Sequence, residues 1–168
     1  LPIYVNGEIY LSSAIKAKNL SFLYRDQRIS VNGEFINLPE WLSGHNVRLE
    51  ADADIHFDKL DPEAFFLNPD STDIQNIGKH KAFSMPQNMY LDLGISADVL
   101  NDEHITATDV FANLVYKPGL LTFHSFKMKT LEGTISGNGF AMEHNNQSLI
   151  CKGIFTIPDV NINQTFTN

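Results

Sequence analysis

Along much of this chain, apolar and polar residues take turns with a period of two. Leu91, Leu93, Ile95 and Ala97 are apolar, while Asp92, Gly94, Ser96 and Asp98 between them are small or polar. Side chains of a strand point alternately to opposite faces, so such a segment has one dry face and one wet face. Val47, Leu49, Ala51, Ala53, Ile55 and Phe57 repeat the pattern against Arg48, Glu50, Asp52, Asp54, His56 and Asp58. Clean alternation of this kind suits an antiparallel sheet with one face in water. Helical periodicity of comparable length is absent from the sequence.

The same reading places further strands at Ile3 to Leu11, Ile15 to Tyr24, Arg28 to Asn37, Ile105 to Tyr116, Thr134 to Met142 and Leu149 to Ile157. Lys117-Pro118-Gly119 makes a turn, because Pro presets one dihedral and Gly accepts the other. Leu121 and Phe123 are followed by Phe126 and Met128, a one-residue slip at Ser125 that predicts a bulge. Two short helical signals stand out. Asp61-Pro62-Glu63 opens a segment to Leu67 with an N-cap, Pro at the first helical position and an acidic first turn. Leu38 to Ser43 reads as another single turn.

Two short alignments relate the halves. Arg28 to Ile36 matches Thr134 to Met142, so that Gly139 stands 106 positions after Gly33. Val47 to Phe66 matches Gln147 to Phe166, so that Phe155 stands 100 positions after Ile55. The expected fold is therefore mainly β, a curved antiparallel sheet of two related modules with one or two short helices. The first module covers residues 1–68, a weakly patterned linker 69–87, and the second module 88–168. Leu1 falls inside a strand pattern, so the chain is expected to be a piece of a longer protein.

Charge and cysteine content narrow the partners. The 20 acidic residues exceed the 12 basic ones, giving a formal charge of −8. A net anion without a basic patch is a poor ligand for nucleic acid, and an anionic bilayer surface repels it likewise. Cys151 is the single cysteine, so an internal disulfide framework is excluded. No stretch approaches 18 consecutive apolar residues.

The second half resembles the C-terminal region of the AsmA family. The likeness lies in the order of several short features. Asn88 to Asp98 is an amphipathic strand ending in Ser-Ala-Asp. Lys117-Pro-Gly-Leu-Leu-Thr-Phe-His-Ser-Phe126 runs a turn into a Leu- and Phe-rich strand. Leu131-Glu-Gly-Thr-Ile-Ser-Gly-Asn-Gly-Phe140 supplies a Glu-Gly step into Thr-x-Ser-Gly-x-Gly. Ile150 to Phe166 closes with Pro158-Asp159-Val160-Asn161. The resemblance covers about half the chain; Trp41 and the stretch around Lys79-His80-Lys81 depart from it. It implies a periplasmic segment of a larger envelope protein anchored in the inner membrane. It further implies a non-enzymatic role in outer-membrane biogenesis, with phospholipid or another acyl-chain ligand held along an apolar β groove. Neighbouring β modules of the full-length protein would be its other partners; no cofactor or metal is implied.

Such a groove has a physical rationale. Exposing a lipid's chains to water costs roughly 0.8 kcal/mol per CH₂, on the order of 20 kcal/mol for a pair of long chains. A continuous apolar trough removes most of that barrier. The groove candidates are Leu91, Leu93, Ile95, Val110, Leu114, Leu121, Phe123, Ile135, Phe155 and Ile157. The alternative is a structural or protein-interaction β module whose apolar rows are a closed core. A carbohydrate-binding β domain using Trp41 and nearby Tyr residues is a third reading.

Other chemistry lacks its spacing. Asp52-Ala-Asp54-Ile-His56-Phe-Asp58 has neither the Gly at the sixth position nor the Glu at the twelfth of a calcium loop. The six histidines form no i, i+4 pair for zinc. Gly133-Thr-Ile-Ser-Gly137 is mis-spaced for a nucleophile elbow. Nothing fixes the separation of Asp92, Asp98, Asp102 and Glu103 as catalytic carboxylates. Cys151, alternating with Leu149 and Gly153, reads as an inert thiol on the buried face.

Overall fold

The described residues form nine strands that lie side by side, in chain order, in a single sheet that does not close on itself. The computed structural model describes residues 5–61, 85–101, 105–130, 133–144 and 148–157. The strands are β1 (Val5–Leu11), β2 (Ala14–Tyr24), β3 (Gln27–Ile36), β4 (Leu49–Leu60), β5 (Met89–Asn101), β6 (Thr106–Lys117), β7 (Leu120–Thr130), β8 (Gly133–His144) and β9 (Ser148–Thr156). Among the described residues one short helix, α1 (Leu38–Leu42), interrupts them and buries none of its residues. The mainly β expectation holds. The helical signal at Asp61 to Leu67 lies outside the described residues from Pro62 onward.

Local chemistry explains the connections. Arg25 and Asp26 both take positive φ, 47° and 63°, as a two-residue hairpin turn with the twist of its strands requires. At the β6–β7 turn Pro118 is followed by Gly119 at φ 74°. Bulges shift the register at several places. Asn19, at φ 49°, marks the slip between Ala17 and Leu20, and its N–H donates to Asn32 Oδ1 at 2.6 Å. Asp109, also at φ 49°, marks the slip between Thr108 and Phe111 and pairs with Lys129 Nζ at 2.7 Å. The bulge expected near Ser125 is present, as register shifts against both neighbouring strands. Bulges bend strands and increase twist, which is how a wide sheet acquires curvature.

One junction departs from the antiparallel expectation. Every neighbouring pair is antiparallel except β4 and β5, which run parallel with Leu49 beside Met89 and Leu60 beside Leu100. Parallel neighbours need a crossover rather than a hairpin, and residues 61–88 supply its length. Both described ends of that crossover touch the same side of the sheet. Asp61 N–H donates to Oε1 of buried Gln27, while the Tyr116 hydroxyl donates to Pro86 O at 2.6 Å.

The two sequence alignments can be compared with the pairing. Gly33 pairs with Ala53 in β3–β4, and their counterparts Gly139 and Gly153 pair in β8–β9. Val31 with Ile55 becomes Gly137 with Phe155, and Phe35 with Ala51 becomes Ala141 with Cys151. The offsets carry one register onto the other without a slip.

Candidate functional site

Register sorts the side chains of all nine strands onto two faces. Because directly paired residues share a face, each chain of partners is a row running across the sheet. One row takes a residue from every strand: Leu11, Ile15, Phe35, Ala51, Leu91, Tyr116, Leu121, Ala141 and Cys151. The next does the same with Ile9, Ala17, Gly33, Ala53, Leu93, Leu114, Phe123, Gly139 and Gly153. A third crosses from Leu20 through Val31, Ile55, Ile95, Ala112, Phe126 and Gly137 to Phe155. No charged residue interrupts any of the three. With strands about 4.8 Å apart, the apolar strip spans about 38 Å across the sheet.

Two clusters give this face its cohesion. Ala17, Ile29 and Val31 pack with Leu20, Phe22, Phe35 and Ile55, and Ala97, Ala107, Val110 and Met128 pack with Leu60, Leu100, Phe126 and Ile135. Phe57 belongs to both and joins them across the parallel junction. The residues that reach full burial are mostly small, such as Ala97 at 2 % exposure, because their strand neighbours shelter them. Among the described residues no large side chain is fully buried. Leu91, Leu93, Ile95, Leu114, Leu121, Phe123 and Ile135 are all half-buried. That is the state of side chains packed sideways against their neighbours, with no second layer above them among the described residues. No described helix or strand covers the face: α1 touches only β4 in any number.

The sequence-derived candidates therefore converge. Leu91, Leu93, Ile95, Val110, Leu114, Leu121, Phe123, Ile135 and Phe155 stand on this one surface, with Val110 buried and Phe155 exposed. Ile157 follows the last residue of β9 and lies beyond its ladder. Cys151 corrects its expectation. It does lie in an apolar row, but β9 is an edge strand and the thiol is exposed.

Over β7–β9 the face deepens into a hollow of about 490 Å³. Gly139 and Gly153 floor it, and Phe123, Phe126 and Phe155 line it. The Phe155 ring lies across the neighbouring glycines: a Cβ on Gly137 or Gly153 would come within 2.6 or 2.8 Å of it. An aromatic ring thus replaces the missing side chains, a known stabiliser of strand glycines. A polar margin bounds this face at the end where β5 begins. There Gln87 Nε2 donates to Glu143 Oε2 at 3.3 Å, and the Tyr116 phenol is pushed up by burial and by the Glu143 carboxylate.

The opposite face is polar and mostly exposed. It carries the ion pairs Lys16–Glu34 (3.0 Å) and Lys18–Glu8 (3.7 Å). A wide hollow of about 840 Å³ lies among Lys16, Glu34, Glu50, Asp52, Tyr90 and Lys117. Tyr10 donates to Glu8 Oε2 at 2.6 Å, and this bond, with the Lys18 charge, holds the Glu8 carboxyl below its usual range. The parallel junction assembles a Ser–His–Asp grouping on this face that sequence spacing does not reveal. His56 Nδ1 lies 3.0 Å from Ser96 Oγ, and Nε2 lies 3.6 Å from Asp98 Oδ2. Acyl-transfer catalysis needs donors aimed at a developing oxyanion, whereas strand amides are directed along the sheet into their ladders. The grouping ties β4 to β5. Among the described residues, no group of three or more His, Cys, Asp or Glu side chains could hold a metal ion. Comparison with known proteins gives no match, whether to a family model, a curated protein or a solved structure.

Proposed function

We propose that this chain is a lipid-handling β module whose open apolar face holds acyl chains. The reading includes no catalytic step. It makes the chain a periplasmic segment of an AsmA-like envelope protein in outer-membrane biogenesis, the whole anchored in the inner membrane. One observation carries it: apolar rows run unbroken across all nine strands with no described layer over them. An apolar strip about 38 Å long left against water is strongly unfavourable, at roughly 25 cal/mol per Å², so it calls for an apolar occupant. Acyl chains suit it because they need continuity and little chemical selectivity. The Phe-lined, glycine-floored hollow offers the deepest seat along the strip.

The second reading, a structural module with a closed core, is favoured by the crossover anchors. Asp61 and Pro86, the described ends of the β4–β5 connection, both bond to side chains of the apolar side. The two readings separate in a binding experiment. An apolar fluorescent dye and a phospholipid are titrated into the protein, and native mass spectrometry examines co-purified lipid. The lipid reading expects micromolar binding, abolished by Leu93→Asp with Phe123→Asp while the circular dichroism of the sheet is retained. Binding that survives the double substitution, or no binding by the parent protein, favours the closed module.

A further inference from the structure

The two edges of the sheet are unlike. β1 carries devices that discourage pairing: Gly7 at φ 129° with a register shift between Asn6 and Glu8, and the charges of Glu8 and neighbouring Lys18. Bulges and charges of this sort are how sheets protect an edge. β9 has neither. Its nine residues pair with β8 without a shift, its only charge is Lys152, and no described strand lies beyond it. It displays apolar side chains on both faces, with Ile154 73 % and Phe155 62 % exposed.

The sequence of β9 also reads alike from its centre in both directions. Around Lys152 stand Cys151 and Gly153, then Ile150 and Ile154, then Leu149 and Phe155, then Ser148 and Thr156. A surface that pairs with itself about a two-fold axis must be self-complementary, and this strand is.

We propose that β9 is a self-pairing edge, so that two copies of this chain join antiparallel, β9 against β9, about a two-fold axis at Lys152. In that register Leu149 faces Phe155 of the partner copy and Ile150 faces its Ile154. Directly opposed residues of antiparallel strands share a face, so the two apolar surfaces run on as one. The two Phe-lined hollows come together at its middle. Heterologous pairing of β9 with β1 is disfavoured by the bulge on β1. The single unfavourable contact is Lys152 against its own copy, which keeps the pairing reversible and strengthens it with added salt.

Sedimentation equilibrium of the full chain, over micromolar to millimolar concentrations, tests the pairing. The expected result is a monomer–dimer equilibrium. Lys152→Ser tightens it about two- to five-fold by removing the like-charge pair. Ile154→Lys leaves a monomer with unchanged circular dichroism. Mixing the parent protein with Lys152→Glu yields heterodimer above the statistical half. In a Cys151→Ser background, Lys152→Cys gives a disulfide-linked dimer on mild oxidation, whereas Lys129→Cys on β7 does not. A parent protein that stays monomeric throughout overturns the proposal, as it would if another part of this chain already covered β9. So does a dimer that survives Ile154→Lys and fails to cross-link at position 152.

Discussion

Leu93 sits near the middle of the apolar face, between Ala53 on β4 and Leu114 on β6. Leu93→Ala removes its branched end, and the stability lost depends on what lies above the sheet. Fully burying a leucine side chain contributes about 1.5–3 kcal/mol, so a half-buried one contributes about half of that. An open face also leaves no enclosed cavity, because there is no second layer to span the gap. The expected cost is therefore about 1 kcal/mol. In a closed core the same change loses both the transfer and cavity contributions, about 3–5 kcal/mol. Urea denaturation followed by circular dichroism distinguishes these, since the midpoint shifts in proportion to the lost stability at constant slope. A loss above about 2.5 kcal/mol in lipid-free protein would refute the open-face reasoning and place protein atoms over Leu93.

Other expected outcomes follow from single contacts. A Cβ on Gly33 would meet Ala53 Cβ and lie 2.5 Å from Asp52 O, so Gly33→Ala forces β3 and β4 apart. It should cost about 1–3 kcal/mol in the same urea assay. Because the Tyr116 phenol is raised by burial, the stability from its protonated form is complete below about pH 10 and is lost as pH climbs through its folded-state value. Tyr116→Phe should remove that alkaline loss and, at neutral pH, the bond to Pro86 O, about 0.5–1.5 kcal/mol. A double-mutant cycle on half-buried His56 and exposed Asp98 should return about 0.2–1 kcal/mol of coupling. A cycle that returns no coupling would remove the ion pair from the β4–β5 junction.

Local patterning was legible in the sequence because it depends on near neighbours. Alternation around Leu91 to Asp98 placed β5, and the slip at Ser125 placed a bulge, since both are consequences of side-chain period. The convergence of Leu93, Leu114 and Phe123 on one row follows from the same parity carried across hairpins. Pairing across the middle of the chain was not legible. Alternation reads identically in parallel and antiparallel strands, so nothing local distinguished the β4–β5 junction or brought His56 to Ser96. Edge position was equally hidden, which is why Cys151 read as a thiol on the buried face yet is exposed.

Photolabelling with a diazirine-bearing fatty acid, followed by peptide mapping, tests most directly whether this face meets acyl chains. The account predicts labels at Leu93, Leu114 and Phe123, with the glycine-floored hollow beside Phe155 labelled most heavily, and none at Glu34, Asp52 or Lys127 on the polar face. Labels spread evenly over both faces, or confined to the polar one, would contradict it.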